Sequence, residues 1–330
     1  MARSRTVVVL SLLAFAALGM IATPASAYVR KRTDGGIEEY WQVSCIPMTI
    51  YMNGYTGMTR DEVVKSITAA AHTWSPSAVT CPDGVSHPFL EIVPSLADEN
   101  AVPPVPAYDA RNTVLFYTPE RPYNPDTSGL SWEVVALTAG WARADGHIVD
   151  ADVRINAYDN QFANLDPNFV PPADGNTPYD LQNAVTHEFG HVLGLGHSCW
   201  NIFSDLEQPV DDKDAAVPTC DPSAPIAVQN TVMYATIPPG GFEVKKRTLS
   251  SDEIRAVCDI YPASANQYTC DLDTPQDGCG CSASASTAAT VSAWCLALLS
   301  GGAMVLRRRK ASRVASRGAN AQARRPRSAA

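Results

Sequence analysis

Three histidines and one cysteine fall within thirteen residues of this chain, in the segment HEFGHVLGLGHSC that runs from His187 to Cys199. Imidazole and thiolate groups are common zinc ligands in proteins. Four such ligands would close the metal off as a structural site, whereas three would leave a coordination position open to water. The spacing of these side chains therefore decides between a structural and a catalytic centre.

The spacing favours three ligands and one base. His187 and His191 are four residues apart, which places both imidazoles on one face of a helix. Glu188 lies one step round that helix, where a carboxylate can take a proton from a metal-activated water. Gly194 can adopt the left-handed conformation that ends a helix, so the chain turns back and His197 reaches the same ion. A continuous helix would instead carry His197 about 15 Å along the axis.

Capping signals predict two helices around this motif. Thr59 and Glu62 form a T-x-x-E capping box ahead of an apolar helical face that ends near Trp74. Thr177 precedes Pro178, which suits the first position of the helix that carries the histidines.

A third helix follows a second capping box, formed by Ser250 and Glu253, and Pro262 ends it. Alternating or apolar runs predict strands at residues 46–53, 89–94, 113–118, 134–142 and 147–156. This order of elements predicts a single α+β or mixed α/β domain over roughly residues 40–262.

Residues 1–27 have the pattern of a secretory signal peptide, with a basic start, an apolar run from Val7 to Ile21 and a small-residue cleavage motif that ends at Ala27. An uncleaved membrane anchor is the alternative, although the apolar run is short for a span. Residues 28–42 are polar and form an N-terminal arm that is too short to be a folded prodomain.

Residues 263–281 are a polar linker that ends in Cys279 and Cys281, residues 282–306 carry no charge, and residues 307–330 are basic. Basic residues beside an apolar span face the cytoplasm. This tail resembles the MYXO-CTERM sorting signal of myxobacterial exported proteins. The resemblance implies that a sorting protease cuts near the two cysteines, with anchoring at the cell surface or outer envelope, or release after processing. A plain transmembrane anchor is the alternative.

The exported part of the chain is acidic. Of 25 Lys and Arg residues, two lie in the signal and nine lie from Arg307 onward, which leaves 14 against 34 acidic residues and a net charge of −20. Such a charge disfavours binding to nucleic acid or anionic lipid. We expect membrane contact only through the terminal segments.

Cysteine usage agrees with export. Six cysteines lie outside the tail, namely Cys45, Cys81, Cys199, Cys220, Cys258 and Cys270. An even number in an exported chain predicts disulfides, and pairing of sequence neighbours gives 45–81, 199–220 and 258–270 among fifteen possible sets. A bond from Cys199 to Cys220 would leave the three histidines as the only ligands.

The pattern HExxHxxGxxH from His187 to His197 matches the metzincin motif. Over about residues 46–262 the chain resembles the matrixin branch of the metzincins. Its ALTAGWA, GHIVDADVRIN and RTLSSDEIRAVCDIYP segments are similar to the edge strand, the next strand and the last helix of that family. The resemblance implies a zincin fold: a twisted, mostly parallel sheet with an antiparallel edge strand, an active-site helix and a C-terminal helix.

The resemblance also implies roles for particular residues. Met233, in NTVMYATIPP, would form a methionine turn that supports the ligands without coordinating the metal, and Tyr234 would pack rather than coordinate. An extended peptide would pair with the edge strand, as in strand addition. That strand comprises Leu137, Thr138, Ala139, Gly140 and Trp141. An ordinary inner strand is the alternative interpretation of this stretch.

Two departures limit what the resemblance implies. The PRCGxPD cysteine switch of animal matrixins is absent, so inhibition by a prodomain cysteine is not expected. The family's structural-zinc site has no counterpart around His72, His87 and His147, so one zinc ion is predicted. Calcium is possible through Asp150 and Asp152, but a solvated strand is the preferred interpretation there.

Residues 198–230 form an acidic insert before the predicted methionine turn, either a solvent loop or a rim that favours basic substrates. The sequence therefore predicts an exported, surface-retained zinc metalloendopeptidase with a catalytic domain at residues 43–262. Glu188 would activate water for the hydrolysis of protein or peptide substrates. The alternative is a surface-anchored binding or adhesion module on a zincin scaffold.

Overall fold

The computed structural model describes residues 28–124, 128–170, 177–202, 207–237 and 244–265. The predicted signal peptide and everything from residue 266 onward, including Cys270 and the predicted sorting tail, lie outside the described residues. Within the described ranges, no helix has both the length and the apolar character needed to cross a membrane.

A five-stranded sheet lies at the centre of the protein, and the strand order is β2-β1-β3-β5-β4. Its strands are β1 (Cys45–Tyr51), β2 (Glu91–Leu96), β3 (Thr113–Tyr117), β4 (Ala136–Ala142) and β5 (Ile148–Asn156). The pairs β1–β2, β1–β3 and β3–β5 are parallel, whereas β4 runs antiparallel to β5 and forms an edge of the sheet. The protein is thus mixed α/β with a mostly parallel sheet, and all five predicted strands are present.

Two long helices, α1 (Arg60–Thr73) and α2 (Leu181–Val192), pack against each other and against the sheet. The indole nitrogen of Trp74, at the end of α1, donates to the carbonyl oxygen of Thr186 in α2 at 3.0 Å. Strand β5 is buried along almost its whole length, as expected for an inner strand of a covered sheet. The shorter elements are α3 (Ile226–Gln229), α4 (Ser251–Ile260), two 3₁₀ turns (Lys245–Arg247 and Ala263–Ala265) and a two-stranded ladder of β6 (Phe162–Ala163) with β7 (Tyr179–Asp180).

Both predicted capping boxes are confirmed, with Thr59 capping α1 and Ser250 capping α4. The predicted start of α2 at Thr177 is wrong, because Asp180 is the N-cap residue. The Asp180 carboxylate accepts from the backbone nitrogen of Asn183 at 2.8 Å and also forms a buried ion pair with Arg247. The extended pairing of β7 keeps the preceding residues out of the helix.

The N-terminal arm lies against the body of the protein. Tyr28 and Val29 are buried, and two backbone hydrogen bonds join this segment to the loop after α2. Lys31 N donates to Gly194 O at 2.8 Å, and Gly196 N donates to Val29 O at 2.9 Å. The arm therefore forms a short antiparallel ladder beside the third histidine.

Two disulfides join described cysteines, and only one of them is a predicted pair. Cys199 bonds to Cys220, as neighbour pairing predicts. Cys81 bonds to Cys258, so the predicted pairs 45–81 and 258–270 are wrong, although Cys45 is also disulfide-bonded. The backbone hydrogen bond from Phe89 to Tyr261 brings the segment after Cys81 to the end of α4, so neighbours in space are not neighbours in sequence.

Candidate metal centre

The three motif histidines converge on one point at the end of α2. Each of His187, His191 and His197 offers one ring nitrogen, and these three atoms all lie within 4.8 Å of one another. The Nε2 atoms of His191 and His197 are 3.1 Å apart. Three nitrogens bound to one tetrahedral zinc at about 2.0–2.1 Å would lie about 3.3 Å from each other. The arrangement is thus close to that of a zinc ligand set.

Backbone carbonyls fix the orientation of two of these rings. The Nδ1 atom of His187 lies 2.6 Å from the carbonyl oxygen of Val232, and the Nδ1 atom of His191 lies 2.8 Å from that of Leu195. Because a carbonyl can only accept, each Nδ1 carries the proton and each Nε2 keeps a free lone pair. Burial holds the pKa of both imidazoles well below the usual value, which keeps them neutral. Neutral imidazoles with inward-facing Nε2 atoms fit a zinc ion.

Gly194 brings the third histidine back to the first two. It follows the end of α2 and has a φ of 83°, in the left-handed region that favours glycine. A Cβ at this position would lie 2.7 Å from the carbonyl oxygen of Glu39 in the arm. The turn also directs the Leu195 carbonyl toward His191. Gly194 therefore helps to position both His191 and His197.

Met233 lies directly against the backbone of the motif helix. A Cβ on Gly190 would overlap the Sδ atom of Met233 and approach Trp74 Cζ2 to 3.2 Å. Met233 is buried, and its contact point falls between His187 and His191 on the helix. The methionine therefore packs against the helix between the two histidines.

The segment Thr231–Tyr234 joins three parts of the site. Its Val232 carbonyl orients His187, and its Met233 carbonyl accepts from Ser198 N, next to His197, at 3.0 Å. Met233 N donates in turn to the carboxylate of Glu253, the capping-box residue of α4, at 3.2 Å. Two ligands and the last helix are thus connected through four residues.

Glu188 is buried, and its carboxylate is held by the edge strand. Thr138 Oγ1 donates to Glu188 Oε2 at 2.6 Å. Burial raises the pKa of Glu188 to about 7, while the Thr138 hydrogen bond and the positive charges of Lys31 and Lys246 act to lower it. A carboxylate whose pKa lies near neutrality can both take and return a proton. Glu188 is therefore suited to general acid–base work.

Strand β4 places the remaining predicted site residues along one side of the centre. It includes all five residues predicted to bind substrate, from Leu137 to Trp141, and β5 is its only partner strand in the described part of the sheet. The Thr138 side chain, however, is buried against Glu188 rather than facing outward. Sequence patterns did not indicate this contact, because it joins residues that are fifty positions apart.

Cys199 takes no part in the metal centre. It is fully buried in its disulfide with Cys220 and packs beside Tyr234. The Tyr234 hydroxyl donates to the carbonyl of Asp221 at 3.0 Å, so this side chain packs against the insert. Three histidines remain as the candidate metal ligands.

Lys246 is a buried cation near the site that sequence analysis did not single out. Its ammonium donates to the carbonyl oxygens of Tyr234 and Thr236, at 3.3 Å in the second case. The short 3₁₀ turn that carries Lys246 packs against α2. A lysine in a KKR run gives no sequence signal of such burial.

Asp150 and Asp152 are buried, so the interpretation of a solvated strand is wrong. Asp150 Oδ2 accepts from the backbone nitrogens of Asp109 and Ala110 at 2.7 and 2.8 Å, and Asp152 Oδ1 accepts from the Thr113 hydroxyl at 2.5 Å. The two carboxylates therefore anchor the loop before β3 to β5. Across the residues that the structure describes, the motif histidines form the one cluster of three or more metal-binding side chains.

Most described carboxylates of the acidic insert accept hydrogen bonds or form an ion pair within the protein. Asp211 accepts from the backbone nitrogens of Lys213 and Ala215, and Asp212 pairs with Arg255 of α4 at 3.0 Å. These bonds shape the insert.

No protein-family model matches this chain, and no curated protein matches it.

Proposed function

We propose that this protein is a zinc-dependent endopeptidase of the matrixin-like metzincin type. The observation that carries the proposal is the convergence of three imidazoles beside a buried carboxylate, Glu188, at an edge strand of a mostly parallel sheet. The parallel sheet, the antiparallel edge strand, the histidine helix α2 and the last helix α4 together support a zincin fold.

The metal would be held by the Nε2 atoms of His187, His191 and His197. When bound, zinc would act as a Lewis acid toward the scissile carbonyl and lower the pKa of a water molecule. The carbonyls of Val232 and Leu195 keep two of the rings in the tautomer that such binding requires.

The proton transfers are assigned to Glu188. Its Oε2 atom accepts from the Thr138 hydroxyl, which leaves Oε1 as the oxygen that would accept the proton of the attacking water. The protonated carboxyl then delivers that proton to the nitrogen of the leaving amine. The burial of Glu188 excludes bulk water from this exchange.

The substrate would bind as an extended peptide along the free side of β4. An edge strand offers unpaired backbone donors and acceptors, which an added strand can satisfy. Pairing at Leu137–Trp141 would bring the peptide backbone past Thr138 and hence past Glu188.

Export and surface retention belong to the same proposal. The disulfides Cys81–Cys258 and Cys199–Cys220 are compatible with an oxidising compartment. The signal at residues 1–27 and the MYXO-CTERM-like tail would take the protein to the cell surface, where a sorting protease would process the tail.

The test compares the full chain with Glu188→Gln on an unfolded protein substrate, with chelator and after zinc is restored. We expect chelator-sensitive cleavage that zinc restores, and a loss of at least about a hundredfold in Glu188→Gln. Glu207→Gln, which changes an exposed carboxylate in the insert, serves as the matched control. Equal cleavage by the wild type and Glu188→Gln would overturn the mechanism. Zinc binding without cleavage of any substrate would instead favour a binding or adhesion module.

A further inference from the structure

The N-terminal arm carries a lysine to the metal centre. The backbone nitrogen of Lys31 donates to Gly194 O, and its carbonyl accepts from Glu39 N at 2.9 Å. Gly194 lies midway between His191 and His197, so the backbone at Lys31 is fixed beside the loop that carries the third ligand.

The side chain of Lys31 extends from the arm toward the edge strand. Its Nζ atom lies 3.8 Å from the position that a Cβ on Gly140 would occupy. Its positive charge acts on Glu188 and His191, and also on Glu39 in the arm. The ammonium therefore lies close to both the proposed general base and the strand proposed to bind substrate.

Lys31 differs from the neighbouring cations in its bonding. Arg30 pairs with Glu38 at 3.0 Å and donates to a carbonyl at 2.8 Å, and Lys246 donates to two carbonyls. Within the described ranges, the Lys31 ammonium makes no hydrogen bond and no ion pair shorter than 4.0 Å, and burial lowers its pKa. An ammonium has three donors, and leaving them unpaired in a partly buried place is unfavourable. An anionic group from outside the chain would satisfy them.

The glycine at position 140 leaves the space that such a group would need. Thr138 is level with Glu188, because the two side chains are hydrogen-bonded. Gly140 is two residues further along the strand, or about 7 Å. A peptide side chain opposite Gly140 would thus meet Lys31 about two residues away from the scissile bond.

We propose that Lys31 forms a specificity subsite that binds a carboxylate of the substrate, about two residues from the bond that is cleaved. The inference rests on the proposed peptidase function and deepens it. The carboxylate can belong to an Asp or Glu side chain or to a free C-terminus, since both present the same acceptor to the ammonium.

Cleavage of matched peptides tests the subsite. One peptide series places Glu or Gln at successive positions around a fixed cleavable bond, with amidated C-termini, and a second series carries a free C-terminus. We expect Glu at one position to raise kcat/KM about tenfold over Gln. Lys31→Met should abolish that ratio, Lys31→Glu should reverse it in favour of Gln, and Lys31→Arg should keep it. A preference confined to the second series assigns the subsite to the terminal carboxylate.

One control variant and one contrary outcome make the result interpretable. Lys65→Met removes an exposed lysine from α1 and should leave every ratio unchanged. If Lys31 acted only through Glu188, Lys31→Met would slow the Glu and Gln peptides equally, and this outcome would overturn the proposal.

A binding measurement separates this proposal from the peptidase proposal. The affinities of the Glu and Gln peptides for Glu188→Gln protein are compared by calorimetry, with and without the Lys31→Met change. A Glu preference that depends on Lys31 supports the subsite even if the wild type cleaves nothing. Equal affinity for both peptides, together with an unchanged cleavage ratio in Lys31→Met, would overturn the subsite while leaving the peptidase intact.

Discussion

The sulfur of Met233 occupies the space that a side chain on Gly190 would need. Because Gly190 lies on α2 between His187 and His191, the fit of one methionine against one glycine sets how closely residues Thr231–Tyr234 approach the candidate metal centre. Neither residue has to touch the metal for this relationship to matter.

Replacing Gly190 with alanine should displace Met233 and disturb the ligands above it. Overpacking of this kind costs about 1–3 kcal/mol in the free energy of unfolding. We expect lower stability in denaturant titrations and weaker zinc retention in dialysis against chelator. Gly35→Ala, where the new Cβ meets only Thr33 Oγ1 at 3.7 Å, is the control and should change neither quantity. Unaltered stability in Gly190→Ala would show that the packing is looser than described.

Replacing Thr138 with valine should weaken catalysis without unfolding the strand. Valine keeps the shape but removes the hydroxyl that stabilises ionised Glu188, so the pKa of the carboxylate should rise. We expect a loss in kcat of about tenfold or more and an acidic limb of the kcat/KM profile that moves to higher pH. Thr138→Ser should restore both. An unchanged pH profile in Thr138→Val would show that Thr138 does not affect the ionisation of Glu188.

Asp152 should make the folded protein less stable as the pH rises. Burial raises its pKa to about 6, above its ordinary value of 3.8, so the folded state holds this proton more tightly than the unfolded state. The contribution of Asp152 to the free energy of unfolding is therefore complete below the pKa of the unfolded state. It is lost as the pH rises through about 6. Burial also raises the pKa of Asp150, which acts in the same direction.

The test is the change in Tm between about pH 5 and about pH 7.5 in the wild type and in Asp152→Asn. Asparagine cannot ionise, so the fall in Tm over this range should become smaller. The share of the fall that comes from Asp150 should remain. Asp83→Asn is the comparison, since hydrogen bonds with Ser86 and Val85 lower the pKa of this exposed carboxyl to about 2, below the tested range. An identical slope in the wild type and in Asp152→Asn would contradict the prediction.

Removing the Cys199–Cys220 bond should leave the metal in place. The double variant Cys199→Ala/Cys220→Ala loses the closure of a loop with a sequence separation of 21, which costs about 3 kcal/mol of stability. Zinc content at a temperature where the variant is folded should remain one ion per chain. His197→Ala, by contrast, should lose the ion. Zinc loss in the folded double variant would point to Cys199 as a ligand.

Local signals predicted much of this fold. The capping boxes at Thr59 and Ser250 depend on residues three positions apart, and the strands depend on patterns within a few residues, so sequence carries both. The spacing of the three histidines likewise lies within one helix and one turn, and the structure brings their ring nitrogens together.

Contacts between distant segments were not accessible in this way. Cys81 and Cys258 are separated by 177 residues, and neighbour pairing assigned both to wrong partners. The burial of Asp152 follows from the loop that covers β5, and no alternation within the strand reveals it. The position of Lys31 could not be predicted for the same reason, because the place where the N-terminal arm binds depends on residues far away in the sequence.

The contacts made by Thr231–Tyr234 join residues that lie far apart in the sequence, so the order in which the chain emerges affects when the site can form. His187 depends on Val232, 45 residues later, and that segment is held by Glu253, near the end of the described chain. Under the proposed export, a chain that crosses a membrane from its N-terminus presents all three histidines before it presents Val232, whose carbonyl orients His187. The candidate metal centre would then be complete only after the last helix has crossed, and a half-exported chain would carry the three histidines without the contacts of Val232 and Glu253.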